Sequence, residues 1–193
     1  MQQALEKLRS TSPLRITVSG DIGSGKSTFA KHLADDLHIE RIYIGALMRE
    51  EAARRNLSLD ELMQLLIADD SFDRQVDALQ NEKSKTMERG IFEGRTSWHF
   101  VDQPTVRVFF KVDPRASAQR LWNSDDPSRD KYQSIDEIVA ANELRKSAEE
   151  KRYQAFYNID VYDPKNFDVI VDTSNKSIED VYQEAIIAIS EKL

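Results

Sequence analysis

A glycine-rich segment is the most specific chemical feature of this sequence. Residues 20–27 read GDIGSGKS and fit the pattern G-x-x-x-x-G-K-[ST] throughout, between an apolar strand-like run and an amphipathic helix. Glycines let the backbone curl so that successive N–H groups point at phosphate oxygens, and the positive end of the helix adds to that field. Lys26 is placed to reach the β- and γ-phosphates of a bound ATP, and the Ser27 hydroxyl is a natural Mg²⁺ ligand.

We expect the donor nucleotide to contact the whole of this phosphate-binding loop and the residue that follows it. The predicted contacts are Gly20, Asp21, Ile22, Gly23, Ser24, Gly25, Lys26, Ser27 and Thr28. The alternative is an ordinary glycine-rich turn from a strand to a helix, with an exposed lysine. The position of the motif between a buried strand and an amphipathic helix favours the nucleotide site.

Charged residues at the end of another strand form a second candidate site. Phosphoryl transfer depends on charge neutralisation and in-line positioning, so arginines near strand ends are of interest. Glu93 and Arg95 follow a short apolar strand, at the carboxyl end of a parallel sheet where ligands collect. We expect Glu93 to hold Mg²⁺ through water and Arg95 to grip the acceptor's phosphate. A surface salt bridge is the alternative role for either residue.

These residues must be positioned by a sheet, because strand-like and helix-like segments alternate from Leu14 to the end of the chain. That alternation predicts an α/β fold in which helices cover a parallel sheet. The predicted strands are 14–19, 41–44, 90–94, 106–112 and 167–172. The predicted helices are one after the glycines, 46–55, one from Ser58, 72–88, 115–122, 134–157 and one from Ser177. Ser58 with Glu61, and Ser134 with Glu137, have the spacing of helix-capping pairs.

The composition narrows the class of protein. A chain of 193 residues is expected to form one domain, and its lack of cysteine excludes disulfides and thiol chemistry. The net charge of −7 disfavours a nucleic-acid scaffold, which needs a broad basic surface. No stretch approaches the ~18 apolar residues of a membrane span, and the first residues lack the apolar run of a signal peptide. We therefore expect a cytoplasmic monomer whose partners are small molecules, with no nucleic acid and no membrane.

Besides the glycine-rich loop, three further segments form recognisable motifs. They are YIGALMRE at 43–50, EGR at 93–95 and EKRYQAFYNID at 150–160. Through them nearly the whole chain resembles the nucleoside monophosphate kinases, and most of all the archaeal-type cytidylate kinases. In that family a glycine after the second strand is followed four residues later by an arginine that binds the monophosphate, and Gly45 and Arg49 match this pair. A serine or threonine precedes the glycine in the family, whereas this chain has Tyr43 and Ile44.

The resemblance also implies a lid whose arginines meet the transferring phosphoryl group. The family's lid arginines map onto Arg120, Arg145 and Arg152. Thr173, in VDTS, corresponds to the loop after the last strand, whose backbone lies beside the donor adenine in the family. Arg145 and Arg152 are seven residues apart with Glu149 between them, so a solvated salt-bridge face is the alternative for this pair.

Contacts to the base of the acceptor are expected in the helices between the second and third strands. Asp73 and Asp77, with Arg74 between the two, are the candidates. They would complete an acceptor site with Gly45 and Arg49. The alternative is a polar helix surface without a binding role.

By resemblance, the chain is expected to have the P-loop NTPase fold with a five-stranded parallel sheet and helices on both faces. An acceptor-binding insertion is expected at about 45–89 and a short lid at about 123–145. The implied reaction is direct in-line transfer from ATP to CMP or dCMP with Mg²⁺, in which Lys26, Arg95 and the lid arginines neutralise the moving group. Two alternatives stay open. One is a P-loop kinase of another small metabolite, such as another nucleoside monophosphate, shikimate or a sugar acid, and the other is a nucleotide-binding module without turnover.

Overall fold

The computed structural model describes residues 1–66, 71–124 and 132–193, and in them the predicted α/β fold is confirmed. Five strands form one parallel sheet in the spatial order β2-β3-β1-β4-β5. The strands are β1 (Leu14–Gly20), β2 (Arg41–Tyr43), β3 (Arg89–Glu93), β4 (Val106–Lys111) and β5 (Val169–Asp172). Because the strands are parallel, their carboxyl ends meet at one edge of the sheet, where the phosphate-binding loop also lies.

Helices connect the strands. They are α1 (Gln2–Ser10), α2 (Lys26–Leu37), α3 (Ile44–Arg54), α4 (Leu59–Leu65), α5 (Ser71–Thr86), α6 (Ser97–Phe100), α7 (Pro114–Trp122), α8 (Ile135–Tyr157) and α9 (Ile178–Ser190), with a 3₁₀ turn at Pro164–Asn166. Residues 67–70 and 125–131, which belong to the predicted insertion and lid, lie outside the described residues. Within the described ranges, no helix combines the length and the apolar character needed to cross a bilayer.

Helices cover both faces of the sheet, as predicted. Successive residues of a strand point to opposite faces, and the neighbours Ile91 and Phe92 of β3 belong to two different apolar clusters. Ile91 shares its cluster with Phe29 of α2 and Ile186 of α9. Phe92 shares the other cluster with Met48 of α3. The sheet is therefore buried on both sides, which explains why its strands read as nearly continuous apolar runs.

The predicted helix caps form where the sequence places serines. Ser58 accepts a hydrogen bond from the Glu61 N–H at 3.2 Å, and the Glu61 carboxylate accepts one from the Ser58 N–H at 2.7 Å, so the capping box is complete. Ser134 likewise accepts from the Glu137 N–H at 3.1 Å. In a complete capping box the Glu137 carboxylate would accept from the N–H of Ser134. Here it accepts from the N–H of Gln133 instead.

The predicted strand ends agree with the structure within two residues, and the differences at β2 and β5 have local causes. β2 ends at Tyr43, one residue earlier than predicted, because the chain enters α3 at Ile44. Gly45 permits this turn, since a Cβ there would lie 2.7 Å from the Tyr43 ring. β5 begins two residues later than predicted because the Phe167 N–H donates to the Pro164 carbonyl of the 3₁₀ turn at 3.2 Å.

The first 13 residues, for which the sequence predicts no element, contain helix α1, which packs on α9. Leu8 is fully buried in the same apolar cluster as Ile189. The guanidinium of Arg89 donates to three backbone carbonyls at the end of α1 and so ties the helix to β3. Carbonyls at a helix end need such partners, since they have none within the helix. Helix α1 is therefore part of the core.

We expect Leu8→Ala to lower the free energy of unfolding by about 2–5 kcal/mol, because it removes a fully buried side chain and leaves a cavity. Leu144→Ala is the matched control, since Leu144 is 73% exposed and its removal should change stability by less than about 0.5 kcal/mol. Urea denaturation of both variants measures the difference. Equal stabilities would show that α1 does not contribute to the core.

Candidate active site

The phosphate-binding loop is shaped by glycine and braced by side chains from later in the chain. Gly23 has a φ of 69°, in the left-handed region that favours glycine. A Cβ at this position would lie 2.4 Å from Oγ of Ser117, and the Ser117 hydroxyl donates to the Ile22 carbonyl at 2.6 Å. The Asp21 carboxylate accepts from the N–H of Val112 at 3.1 Å. The loop is therefore fixed from two directions, by α7 and by the residue after β4.

Lys26, the first residue of α2, lies against the loop. Its ammonium group donates to the Asp21 carbonyl at 2.9 Å. Loss of solvation lowers the pKa of Lys26 to about 7, and the positive charge of Arg95 acts in the same direction. The carboxylates of Glu93 and Glu149 oppose this shift without cancelling it. The charged form of Lys26 would therefore be stabilised strongly by an added anion such as a phosphate.

Glu93, at the end of β3, joins the loop to a second strand. It is 1% exposed, and its carboxylate accepts a hydrogen bond from the Ser27 hydroxyl at 2.5 Å. Arg41 of β2 donates to the other carboxylate oxygen from Nε at 2.9 Å and forms a salt bridge with it. The two residues predicted to bind Mg²⁺ are thus adjacent, and Arg41 fixes the orientation of the carboxylate. Hydroxyl and carboxylate oxygens are hard ligands of the kind that Mg²⁺ takes.

Glu149 of α8 gathers two of the predicted catalytic arginines around one carboxylate. Arg95 donates to it from Nε at 2.6 Å, and Arg145 donates from Nε at 3.3 Å. The Tyr162 hydroxyl donates to it at 2.6 Å. Burial opposes the charge of Glu149, but the two arginines hold its pKa at about 2. Glu149 is 3% exposed, so this carboxylate is buried and does not belong to the solvated face that the sequence offers as an alternative.

Arg49, Gly45 and Tyr43 meet where β2 turns into α3. The Arg49 guanidinium donates from Nη1 to the Tyr43 hydroxyl at 2.7 Å and to the Gly45 carbonyl at 3.1 Å. The glycine and arginine of the predicted acceptor motif therefore lie together. Tyr43, which departs from the family pattern, is the side chain that contacts them both.

Helix α5 contributes buried carboxylates to the same region. Asp73 and Asp77 are 3% and 5% exposed, so they do not belong to an exposed helix surface. Arg152 of α8, itself 3% exposed, forms a salt bridge with Asp73 at 3.4 Å. Arg74, by contrast, is exposed, with its guanidinium 5.8 Å from the centre of the Tyr157 ring.

Asp77 is the hub of a buried hydrogen-bond network. Its carboxylate accepts from the Tyr157 hydroxyl at 2.7 Å, from the Thr96 hydroxyl at 2.9 Å and from the Gln80 amide at 3.1 Å. Gln80 in turn accepts from the Ser97 hydroxyl at 2.5 Å. Burial raises the pKa of Asp77 to about 6, although these hydrogen bonds favour the ionised form. The network fixes a polar wall on the α5 side of the cavity.

A cavity of about 710 Å³ brings most of the predicted residues together. The predicted residues that line it are Ile22, Gly23, Gly25, Lys26, Ser27, Thr28, Gly45, Arg49, Asp73, Asp77, Glu93, Arg95, Arg145 and Arg152. Gly20 and Asp21 do not line it, and they act within the loop, where the Gly20 carbonyl accepts from Arg95. The candidate site is thus one continuous space between the loop and helices α3, α5 and α8.

Arg120 and Thr173 do not line this cavity. They line a neighbouring cavity of about 420 Å³, together with Ser24 of the loop. Arg120 donates to the Thr173 hydroxyl at 3.0 Å and to its backbone carbonyl, beside the end of β5. The structure therefore separates Arg120 from the two other arginines of the predicted lid.

The sequence between β1 and the loop after β5 matches a known family, since the model described as the cytidylate kinase-like family covers residues 15–175. The chain belongs to the cytidylate kinase-like family. A cytidylate kinase from Methanothrix thermoacetophila is 35% identical over 158 residues, which are 82% of this chain and 87% of that protein. A cytidylate kinase from Archaeoglobus fulgidus is 27% identical over 93% of this chain and 96% of its own length. The resemblance seen in the sequence motifs is confirmed.

Solved structures place this cytidylate kinase-like chain among the P-loop kinases by fold. A shikimate kinase from Bacteroides thetaiotaomicron superimposes with a TM-score of 0.60 at 17% identity, over 92% of this chain and 97% of that one. A gluconokinase from Sinorhizobium meliloti gives a TM-score of 0.58 at 14% identity, over 93% of each chain. At these identities the likeness concerns the fold alone, and it confirms the predicted P-loop fold.

Sequence reasoning missed Arg41, Gln80 and Tyr162 in the site of this family member. Arg41 and Tyr162 gave no local signal, because their partners Glu93 and Glu149 are 52 and 13 residues away in the chain. Gln80 had an available signal, since the polar residues at 73, 77, 80 and 84 recur every three or four positions and so share one helix face. That stripe is buried.

We expect Asp77 to make the stability of the protein depend on pH. Its pKa is raised from 3.8 to about 6, so the folded state binds this proton more tightly than the unfolded state. Below about pH 4 Asp77 is protonated in both the folded and the unfolded state, so it does not change the free energy of unfolding. As the pH rises from about 4 to about 6, the unfolded state loses this proton first, and the free energy of unfolding falls. A shift of this size corresponds to roughly 2–3 kcal/mol.

The free energy of unfolding of Asp77→Asn, measured relative to that of the wild type, should therefore be higher at about pH 7 than at about pH 4, by about that amount. Urea denaturation of the wild type and of Asp77→Asn at each of these two pH values gives the four free energies of unfolding that are needed. Asp136→Asn, at an exposed position, is the control and should show no such gain. If the difference between Asp77→Asn and the wild type did not change with pH, Asp77 would not be the titrating group.

Proposed function

We propose that this protein is a nucleoside monophosphate kinase that transfers the γ-phosphoryl group of ATP to CMP or dCMP. The observation that carries the proposal is the cavity that Lys26 and Ser27 of the loop share with Arg49 and Arg95. Joining two phosphorylated substrates requires cations for both, and a phosphate-binding loop serves only the donor. Membership of the cytidylate kinase-like family supports cytosine as the base of the acceptor.

On the donor side, backbone N–H groups of the loop would bind the triphosphate, and Lys26 would contact its β- and γ-phosphates. The adjoining cavity of about 420 Å³ has the position expected for the adenine, beside the end of β5. Arg120 and Thr173 line it, so we assign Arg120 to the adenine end of ATP in preference to the transferring group.

Mg²⁺ would be held by Ser27 directly and by Glu93 through water. The two side chains fit this role because they are adjacent, offer oxygen ligands and lie next to Lys26. The bound ion would supply neutralisation of the charge on the β- and γ-phosphates. Arg41 keeps the Glu93 carboxylate in one orientation.

In the transfer step an oxygen of the CMP phosphate would attack the γ-phosphorus of ATP while the bond to the ADP oxygen breaks, so no side-chain nucleophile is needed. Arg95 and Arg145, held by Glu149, would neutralise the charge of the moving group. We propose that residues of about 123–145 form a lid whose closure excludes water that would otherwise hydrolyse ATP.

The choice of base would come from the buried wall of α5, in the proposed acceptor-binding insertion of about 45–89. Asp73 and Asp77 line the cavity and are held by partners from α8 and from the residues after β3. A base that fits such a wall pairs with its polar groups, whereas a wrong base leaves them unpaired and is rejected strongly. No observation in the described residues favours shikimate, a sugar acid or a binding module without turnover over this assignment.

The acceptor is tested by a coupled ADP-release assay with ATP, Mg²⁺ and each of CMP, dCMP, UMP, AMP, GMP, dTMP and shikimate. We expect CMP or dCMP to give the highest kcat/KM. A preference for AMP or GMP would overturn the base and keep the kinase class. Activity on shikimate alone would overturn the acceptor, and no turnover with any acceptor would favour a binding module.

Lys26→Ala should lower kcat by several orders of magnitude and leave the fold intact, because it removes a cation that contacts the transferring group. Lys85→Ala, at an exposed site on α5, is the matched control and should retain full turnover. Circular dichroism and thermal unfolding check that both variants are folded. A folded Lys26→Ala variant with ordinary turnover would remove this lysine from the mechanism.

A further inference from the structure

The junction of β2 and α3 contains an aromatic ring in contact with two arginines of the cavity. Arg41 and Tyr43 are two residues apart on β2, so their side chains share one face of the sheet. The Arg41 Cζ lies 4.3 Å from the centre of the Tyr43 ring, and the Arg49 Cζ lies 5.7 Å from it. The Tyr43 hydroxyl also accepts a hydrogen bond from Arg49 at 2.7 Å.

These contacts complete a continuous path across the cavity wall. Tyr43 stands opposite Glu93 in the register of β2 and β3. Arg41 donates to Glu93, and Glu93 accepts from Ser27. The path therefore runs from Ser27 through Glu93, Arg41 and Tyr43 to Arg49. It joins the side chains assigned to Mg²⁺ to the arginine assigned to the acceptor phosphate.

The local backbone is built around the Tyr43 ring. Gly45 leaves the space that the ring fills, since a Cβ there would lie 2.7 Å from a ring carbon and 3.0 Å from the hydroxyl oxygen. Ile44 is 8% exposed and belongs to the apolar cluster of α3. Among residues 41–45, only Tyr43 carries a hydroxyl group. The side-chain hydrogen bond of Arg49 at this turn therefore depends on the phenol, and the Gly45 carbonyl accepts a second one at 3.1 Å.

We propose that Tyr43 is a positioning residue that holds Arg49 through its hydroxyl and Arg41 through its ring, and so couples the acceptor-phosphate site to the metal site. A guanidinium that is already held in place loses less freedom when it binds a phosphate. A cation over an aromatic face is stabilised by the electrostatic field of the ring. The inference rests on the proposed function, because that function assigns Arg49 to the acceptor and Glu93 to Mg²⁺.

Two substitutions of Tyr43 separate the hydroxyl from the ring. Tyr43→Phe keeps the ring and removes the hydrogen bond, so the Kd of CMP should rise about tenfold, as for loss of a hydrogen bond to a charged group. The affinity for ATP, with and without Mg²⁺, should not change. Tyr43→Leu removes the ring as well, so it should also reduce the gain in ATP affinity that Mg²⁺ provides, by several fold. Calorimetric titration of CMP and of ATP measures these affinities without turnover.

Two further variants test the two ends of this path separately. Arg41→Met should reproduce the magnesium effect of Tyr43→Leu and leave the Kd of CMP unchanged, because it interrupts the path on the metal side only. In an Arg49→Ala background, Tyr43→Phe should have no further effect on CMP, since its partner is gone. Tyr43→Phe retains the shape of the side chain, so it tests the hydroxyl even if Tyr43→Leu does not fold.

A wild type that bound no CMP would overturn the proposed function, and with it this inference. If the wild type bound CMP and Tyr43→Phe bound it equally well, the hydroxyl would not hold Arg49, and the coupling through Tyr43 would fall with it. If both Tyr43 variants weakened CMP and ATP binding to the same extent along with a lower Tm, the ring would have a packing role and no coupling role. Either of these last two results would overturn the inference while leaving the proposed function in place.

Discussion

Glu149 accepts hydrogen bonds from Arg95 and Arg145 in a place that solvent hardly reaches. Several cations close together in a half-enclosed cavity repel one another, and each would lose solvation without gaining a partner. In a phosphate-binding site, arginines can therefore lie close together before the phosphate binds only if carboxylates lie among them. Glu93 and Asp73 serve neighbouring arginines in the same way. Without these anions, the positions of the cations in the cavity would not be defined.

Most of the fold could be predicted from the sequence because its signals are local. The phosphate-binding loop of residues 20–27, the apolar strands and the serine caps each lie within a short segment, and their physical meaning depends little on distant residues. Ser58 illustrates this, since both halves of its capping box lie within four residues. Parallel strands then bring their carboxyl ends to one edge, which is why Lys26 and Glu93 could be expected near each other.

The parts that could not be predicted depend on contacts between distant segments. Arg41 is an ordinary charged residue of a short strand until β2 pairs with β3 and brings it to Glu93. The burial of Asp73 and Asp77 could not be predicted from α5 alone, because burial of a carboxylate depends on partners from other elements. By resemblance Arg120 belongs to the lid, whereas its contacts with Thr173 place it beside the end of β5.

The burial of the Arg152–Asp73 pair, with side-chain exposures of 2% and 3%, bears on how the cavity responds to ionic strength. Dissolved ions screen exposed charges over a distance of about 8–10 Å, but they screen buried pairs much less. Added salt would therefore weaken the long-range attraction between the cavity and an approaching anion while the guanidinium stays in position. Added salt should therefore lower the rate at which phosphorylated substrates reach the site. It should change the positions of the side chains within the site only a little.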